Sequence, residues 1–436
     1  MDTSATSRDR LERALARIGD PVGEGARTYL TVYLEAARAA ADAADVRARA
    51  GESLGPLDGA IVSLKDLFDV AGEPTRAGST VLAKAPPAAR EAPVVSRLRQ
   101  AGAVIVGKTN MVEFAFSGVG VNPHHGTPGN PADRARVPGG STSGGGVAVV
   151  DGMCEIAIGT DTGGSTRIPA ALCGAVGFKP TQSRVPTQGA FPLSPSLDSV
   201  GPMAMSVAAC ASTDAVLAGD APWTLEAAPV AGLKIGIPQG FPLTDLDATV
   251  AARFDAALKL LGRAGVSLSD HAFPMFDGMA QVNAVAPLAS VEAYGVHRDR
   301  LAAHGDAYDP FVRARILGGG VVSPERYAAM LAERNVLIAA MDGALADLDA
   351  LVLPTTPIVA PRKDEVLTLE AFTPVNRLLL RNTSMVNFFD LCAISLPLPR
   401  AGGLPTGLML VARRGQDRRL FAIAAAVERL LNFPPR

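Results

Sequence analysis

Three segments of the chain place hydroxyl and amine groups where acyl chemistry would use them. Val62-Ser63-Leu64-Lys65-Asp66 ends an apolar run with a lysine. Pro138-Gly139-Gly140-Ser141-Thr142-Ser143-Gly144-Gly145-Gly146 runs straight into the apolar Val147–Val150. Gly159-Thr160-Asp161-Thr162-Gly163-Gly164-Ser165-Thr166-Arg167 follows a strand-like run and leads into a helix start at Ala170–Cys173. Consecutive backbone N–H groups in a Gly-Gly-Ser turn before a helix suit a developing oxyanion. Each segment also has a plainer reading: Lys65 as a snorkelling or Asp66-paired side chain, residues 138–146 as a surface loop, and Ser165 as a helix N-cap.

A nucleophilic serine needs a base. His124 and His125 are the histidines near these segments, and both stand more than 30 residues before Ser165. That leaves a lysine, which serves as base when burial leaves it neutral. Lys65, at the end of an apolar strand, is the best-placed candidate. A second motif is rejected. Gly102-Ala103-Val104-Ile105-Val106-Gly107-Lys108-Thr109 satisfies the P-loop expression. Its intervening Ala, Val, Ile and Val favour an extended buried strand over a loop that curls around phosphate.

The elements that must carry these residues alternate. Residues 9–50 are patterned as helix, Ala60–Leu64 and Ala103–Val106 as strands, and Val94–Ala101 as a helix between them. Such alternation predicts crossovers and parallel pairing. Beyond Trp223 the texture becomes helical, with Asp247–Ala264 and Pro324–Leu348 as long amphipathic helices. Leu351–Pro354 and Ala393–Pro397 read as buried strands, and Asp417–Leu431 as a closing helix.

Composition bounds the rest. The chain has 436 residues, 48% of them hydrophobic, with 41 Lys+Arg against 43 Asp+Glu. The near-neutral balance lacks the basic footprint of nucleic-acid binding, so no nucleic-acid partner is expected. Glycine (44) and proline (33) are abundant, which with so many apolar residues indicates a loop-rich globular protein. The polar start lacks a secretory h-region, and no apolar stretch reaches the roughly 18 residues of a membrane span. The four cysteines, Cys154, Cys173, Cys210 and Cys392, are scattered without a CxxC pair. Buried thiols in a reducing compartment fit that pattern, so a cytoplasmic protein without metal or cofactor is expected.

The three segments, in this order and with Ser141 and Ser165 24 residues apart, resemble the amidase signature family of Ser-Ser-Lys hydrolases. Agreement extends through Gly59–Asp66, Val106–Asn110 and Cys173–Thr181, and returns at Leu353–Pro357 and Leu404–Leu408. The resemblance implies an α/β fold: a single large domain with a mixed, mostly parallel central β-sheet flanked by α-helices. It implies one domain over 1–436, with a signature core at about 55–215, a helical substrate-loop region at about 240–350, and C-terminal strands and helix at about 351–432. The length, slightly short for the family, implies no appended domain.

Residue by residue, the resemblance implies Ser165 as nucleophile, Ser141 (after a cis peptide bond) as proton relay, and Lys65 as neutral base. Thr162, Gly163, Gly164 and Ser165 would supply the oxyanion hole, and Ala115 a backbone contact to substrate, with Phe114 and Phe116 either walling the acyl cleft or packing in the core. Thr142 stands where the family more often has a second serine, and Ala132 where an aromatic is frequent. The implied activity is hydrolysis of a small-molecule carboxamide or anilide. A carbamate, urethane or urea-type substrate would use the same triad. The glutaminase component of a glutamyl-tRNA amidotransferase and a degenerate, non-enzymatic scaffold are the other readings; the looser match after residue 220 speaks against the former. The low charge around the catalytic segments favours a neutral apolar acyl group over a dicarboxylate. A homodimer is the generic expectation for assembly.

Overall fold

The computed structural model describes residues 5–221, 223–400 and 402–431. The first four residues of the polar start and Asn432, at the edge of the expected closing segment, lie outside them. Eleven strands form one sheet: β1 (Tyr29–Val32), β2 (Ile61–Lys65), β3 (Val104–Thr109), β4 (Ile156–Asp161), β5 (Val176–Lys179), β6 (Ser199–Ala204), β7 (Lys234–Pro238), β8 (Ser267–His271), β9 (Ala350–Pro354), β10 (Cys392–Pro397) and β11 (Gly407–Ala412). Their spatial order is β1-β3-β2-β4-β6-β5-β10-β11-β9-β7-β8. Helices flank the sheet, and β2, β3 and β4 are buried along their whole length. That double burial explains why they read as near-continuous Val/Ile/Leu runs instead of alternating patterns.

The sheet is mixed, as expected, but parallel pairing does not dominate. The pairs β2–β3, β2–β4, β7–β8 and β7–β9 are parallel. The pairs β1–β3, β4–β6, β5–β6, β5–β10, β10–β11 and β9–β11 are antiparallel. The centre is built from short returns such as β10 to β11, which need no crossover helix. Residues 9–50 are also not helical throughout. Tyr29-Leu30-Thr31-Val32 is a strand paired with β3, as its aromatic and β-branched residues favour. Gly102–Thr109 leads into and forms β3, so the P-loop expression is a strand and not a phosphate cradle. Strands β7 and β8 interrupt the region that reads as helical beyond Trp223.

The parallel pair β2–β4 positions the site. Val62 lies opposite Ile156 and Leu64 opposite Ile158, so the carboxyl ends of the two strands emerge side by side. Open α/β sheets collect their reactive groups at such ends. The Ser143–Val150 helix, which precedes β4 in the chain, is buried at every residue but the last despite three consecutive glycines. Glycine costs helix propensity, but a side chain at Gly144 would meet Thr28 O at 2.6 Å and Asn110 O at 2.7 Å. Backbone contact with the loop after β3 thus overrides propensity. Among the described residues, no helix is long and apolar enough to cross a membrane.

Candidate active site

Lys65 closes β2 with its side chain fully buried. Its Nζ donates to Ser141 Oγ at 2.8 Å and to Thr160 Oγ1 at 2.9 Å. Burial pulls the ammonium down to about 7, against an opposite pull from the carboxylates of Asp161 and Asp198. Neither plainer reading of this lysine holds: it does not snorkel, and it has no ion pair with Asp66. Asp66 instead accepts from Gly78 N–H, and burial pushes its carboxyl up to about 6.

Ser141 enters through the Gly140–Ser141 peptide, which is cis. Its carbonyl accepts from Val112 N–H at 3.0 Å. It stands two residues before the Ser143–Val150 helix, whose N-terminal dipole favours negative charge there. The next residue, Thr142, donates its N–H to Ser165 O at 3.3 Å. That bond joins the two serine segments, so Lys65, Ser141 and Ser165 converge from β2, the helix start and the turn after β4. The Thr142 hydroxyl is buried without a hydrogen-bond partner.

The turn after β4 is held open by Asp161. Its carboxylate accepts from Gly164 N–H at 2.8 Å, Thr166 N–H at 3.2 Å and Thr166 Oγ1 at 2.9 Å. It also pairs with the fully buried Arg167 at 2.8 Å and accepts from Asn387 Nδ2. Although burial opposes it, Arg167 leads the cationic and hydrogen-bonding partners that hold the Asp161 carboxyl well below the usual carboxylate range. The Gly164 amide is therefore engaged. Among the described residues, the N–H groups of Thr162, Gly163 and Ser165 meet no acceptor. Gly164 adopts φ +131°, and a side chain there would meet Thr383 Oγ1 at 2.2 Å, so only glycine fits. Thr383 in turn donates to Gly163 O at 2.6 Å, and Thr162 Oγ1 to Asp198 Oδ1 at 2.5 Å.

Removing one partner of a buried ion pair leaves an uncompensated charge and costs about 3–5 kcal/mol. Asp161→Ala is expected to lose stability on that scale, read as a lower denaturant midpoint in equilibrium unfolding. A midpoint unchanged from wild type would show that the network does not hold the turn.

Glu113–Ala115 forms a tight turn with Phe114 and Ala115 both at positive φ. The Ala115 N–H is used by Val112 O, and among the described residues its carbonyl accepts no hydrogen bond. Phe114 packs among Phe191, His297 and Tyr308 at centroid distances of 5.3, 4.4 and 5.1 Å. Core packing thus accounts for Phe114. The residues missed in the sequence are Thr160, Asp161, Asp198, Thr383 and Asn387. The first two lie inside the Gly159–Arg167 segment, where a charged residue in an apolar, Gly-rich turn was the available signal; the others come from far along the chain. A literal G-x-S-x-G, Gly51–Gly55, lies in an exposed turn after a helix and has none of the strand-to-helix context that motif needs. The four cysteines are buried and free. Among the described residues, no group of three or more His, Cys, Asp or Glu side chains could hold a metal ion.

A family model described as amidase matches residues 11–421. A 2-amino-5-chloromuconic acid deaminase from Comamonas testosteroni is 38% identical, over 91% of this chain and 86% of its own. The A subunit of a glutamyl-tRNA(Gln) amidotransferase from Chloroflexus aggregans is 34% identical, over 99% and 94%. A crystal structure of an amidase superposes with a TM-score of 0.88 at 34% identity, over 98% and 97% of the two chains.

Proposed function

The chain belongs to the amidase family and is a hydrolase of carbon–nitrogen bonds other than peptide bonds, and from that premise we propose that it cleaves a carboxamide or anilide through an acyl-enzyme on Ser165. The observation that carries this reading is the buried Lys65, pulled down to about 7 and in contact with Ser141. A neutral amine can donate to Thr160 while its lone pair takes the Ser141 proton. Ser141 in turn takes the proton of Ser165, whose Oγ attacks the carbonyl carbon. The resulting oxyanion accepts from the unengaged N–H groups of Thr162, Gly163 and Ser165, with Gly164 serving to shape the turn. Ala115 offers its carbonyl to the substrate amide. Ser141 then passes a proton to the leaving nitrogen and recovers one from Lys65. Water, activated by the same relay, releases the acid. No cofactor enters the sequence.

A carbamate, urethane or urea-type substrate would be cleaved by the same residues, since the relay meets only a carbonyl bearing nitrogen. The looser match after residue 220 does not count against the amidotransferase reading, because such a relative aligns over nearly the whole chain. A panel of a benzamide, an aliphatic amide, a p-nitroanilide, an aryl carbamate and glutamine separates these readings. Turnover of an amide or carbamate is the expected result, and its preferred member names the class. Turnover of glutamine alone would assign the chain to the amidotransferase glutaminases. Silence throughout, with no fluorophosphonate labelling of Ser165, would contradict the proposal.

A further inference from the structure

The residues of the oxyanion turn, Thr162 to Ser165, are each held by a different part of the chain. Ser165 is held through its carbonyl by Thr142 N–H, Gly164 through its N–H by Asp161, and Gly163 through its carbonyl by Thr383. Thr162 has a single tether. Among the described residues its hydroxyl donates to Asp198 Oδ1, and its peptide N–H and carbonyl meet no partner. The place of the Thr162 amide, an oxyanion donor in the reading above, thus depends on where Asp198 sits.

Asp198 closes a tight turn of its own. The N–H groups of Leu197 and Asp198 both donate to Ser194 O at 2.8 Å. The Asp198 carboxylate folds back to accept from Leu193 N–H at 3.0 Å and from Ser194 N–H at 3.1 and 3.2 Å. A second carboxylate grips the same turn. Glu292, on the Leu288–His304 helix, accepts from Ser194 Oγ at 2.6 Å and Ser196 N–H at 3.0 Å on one oxygen, and from Tyr327 Oη at 2.8 Å on the other. Tyr327 belongs to the Pro324–Ala344 helix. A continuous line of hydrogen bonds therefore joins Tyr327, Glu292, Ser194, Asp198 and Thr162. Both carboxylates are buried, and every hydrogen bond they accept among the described residues comes from a neutral donor. Burying charge without a counter-ion costs stability. What the pair supplies is direction, since each carboxylate accepts from two separate segments and sets one against the other. A cavity of about 530 Å³, lined by Glu292, Tyr327 and Pro195, lies against this line, so hydrogen bonds and not a solid core set the place of Glu292.

We propose that Glu292 is a positioning residue for the hydrolysis: through Ser194 and Asp198 it sets the Thr162 amide where the oxyanion develops. This rests on the hydrolase reading above and deepens it. An oxyanion donor acts on charge that is present in the transition state and absent from the bound amide. Loss of Glu292 therefore acts on kcat and leaves KM in place, and it acts equally on any reaction of Ser165 that places negative charge in the same turn.

The test compares wild type, Glu292→Ala, Glu292→Gln, Ser194→Ala and Asp299→Ala in two assays. Asp299, on the same helix with its side chain 94% exposed, is the control. One assay is turnover of the amide or carbamate that the panel above prefers. The other is the rate at which an alkyl fluorophosphonate labels Ser165: the Oγ bonds to phosphorus, fluoride leaves, the serine proton passes to the relay, and the phosphoryl oxygen takes the oxyanion's place. Glu292→Ala is expected to lower kcat by about 10-fold or more, short of the 10²–10³ that deleting an oxyanion donor costs, with KM within about twofold of wild type. The labelling rate should fall by the same factor, while its final extent stays at one label per chain. Glu292→Gln, which keeps one acceptor oxygen, should recover part of the loss, Ser194→Ala should show part of it, and Asp299→Ala should match wild type. An unchanged kcat in Glu292→Ala, or a loss carried by KM, would overturn the proposal. A lower final extent in Glu292→Ala would mean that this variant folds poorly; Ser194→Ala, which removes one hydroxyl, then decides, and an unchanged labelling rate in it would overturn the proposal. Wild type that labels, with the Glu292 variants labelling as fast, would sink the positioning role alone; wild type that neither turns over nor labels would sink the hydrolase reading and the positioning role with it.

Discussion

Ser165→Ala is expected to lower kcat/KM by about 10⁴-fold or more and to leave the melting temperature within about 2 °C of wild type. The two halves follow from different atoms. The Ser165 contact that holds the fold is its carbonyl, which accepts from Thr142 N–H, and alanine keeps it. Among the described residues, the Ser165 hydroxyl enters no hydrogen bond, so its removal strands no buried partner. The hydroxyl, however, belongs to the turn whose Thr162 and Gly163 amides meet no acceptor among the described residues, and whose Ser165 carbonyl is bonded to the residue after Ser141. Retention of a tenth or more of the activity would show that another group attacks the carbonyl.

The second large effect concerns Lys65 and pH. The neutral amine is the base, and its pKa in the fold is lowered from 10.5 to about 7. The active fraction therefore rises with pH, so kcat/KM should climb through a midpoint near 7 and level off above it. An unburied lysine would place that midpoint more than three units higher. Lys65→Met should remove about 10²–10⁴ of kcat/KM, the usual contribution of a general base, and abolish the limb. Asp198 supplies part of the pull that keeps the lysine protonated. Asp198→Asn should thus move the midpoint to lower pH, while a move to higher pH would contradict the assigned electrostatics.

How much of this was readable beforehand depends on how local each cause is. Lys65 at the end of an apolar strand, the Gly-Gly-Ser turn and the strand character of Val104–Val106 are written in neighbouring residues, and the folded chain keeps all three. The helix at Ser143–Val150 was not legible, because its glycines answer to close packing, Gly144 against Asn110 and Thr28 and Gly146 against Pro169, and disguise the helix as a loop. The strand at Tyr29–Val32 was masked by Ala- and Arg-rich helices on both sides. The balance of parallel and antiparallel pairs depends on which strands become neighbours, and local pattern does not say. The Asp161 network joins residues more than 200 positions apart, Asn387 and Asp161 among them.

Trapping the covalent intermediate tests the mechanism most directly. The enzyme would be mixed with a p-nitroanilide or an activated aryl ester of the preferred acyl group, quenched in acid within one turnover, digested with trypsin and analysed by mass spectrometry. Residues 137–167 fall in one tryptic peptide that carries both Ser141 and Ser165, so fragment ions must assign the adduct. The acyl group is expected on Ser165, absent from Ser165→Ala, and formed more slowly but at the same position in Lys65→Met. An adduct on Ser141 or elsewhere, or turnover with no adduct on any serine under conditions where release is slow, would contradict the Lys65–Ser141–Ser165 relay.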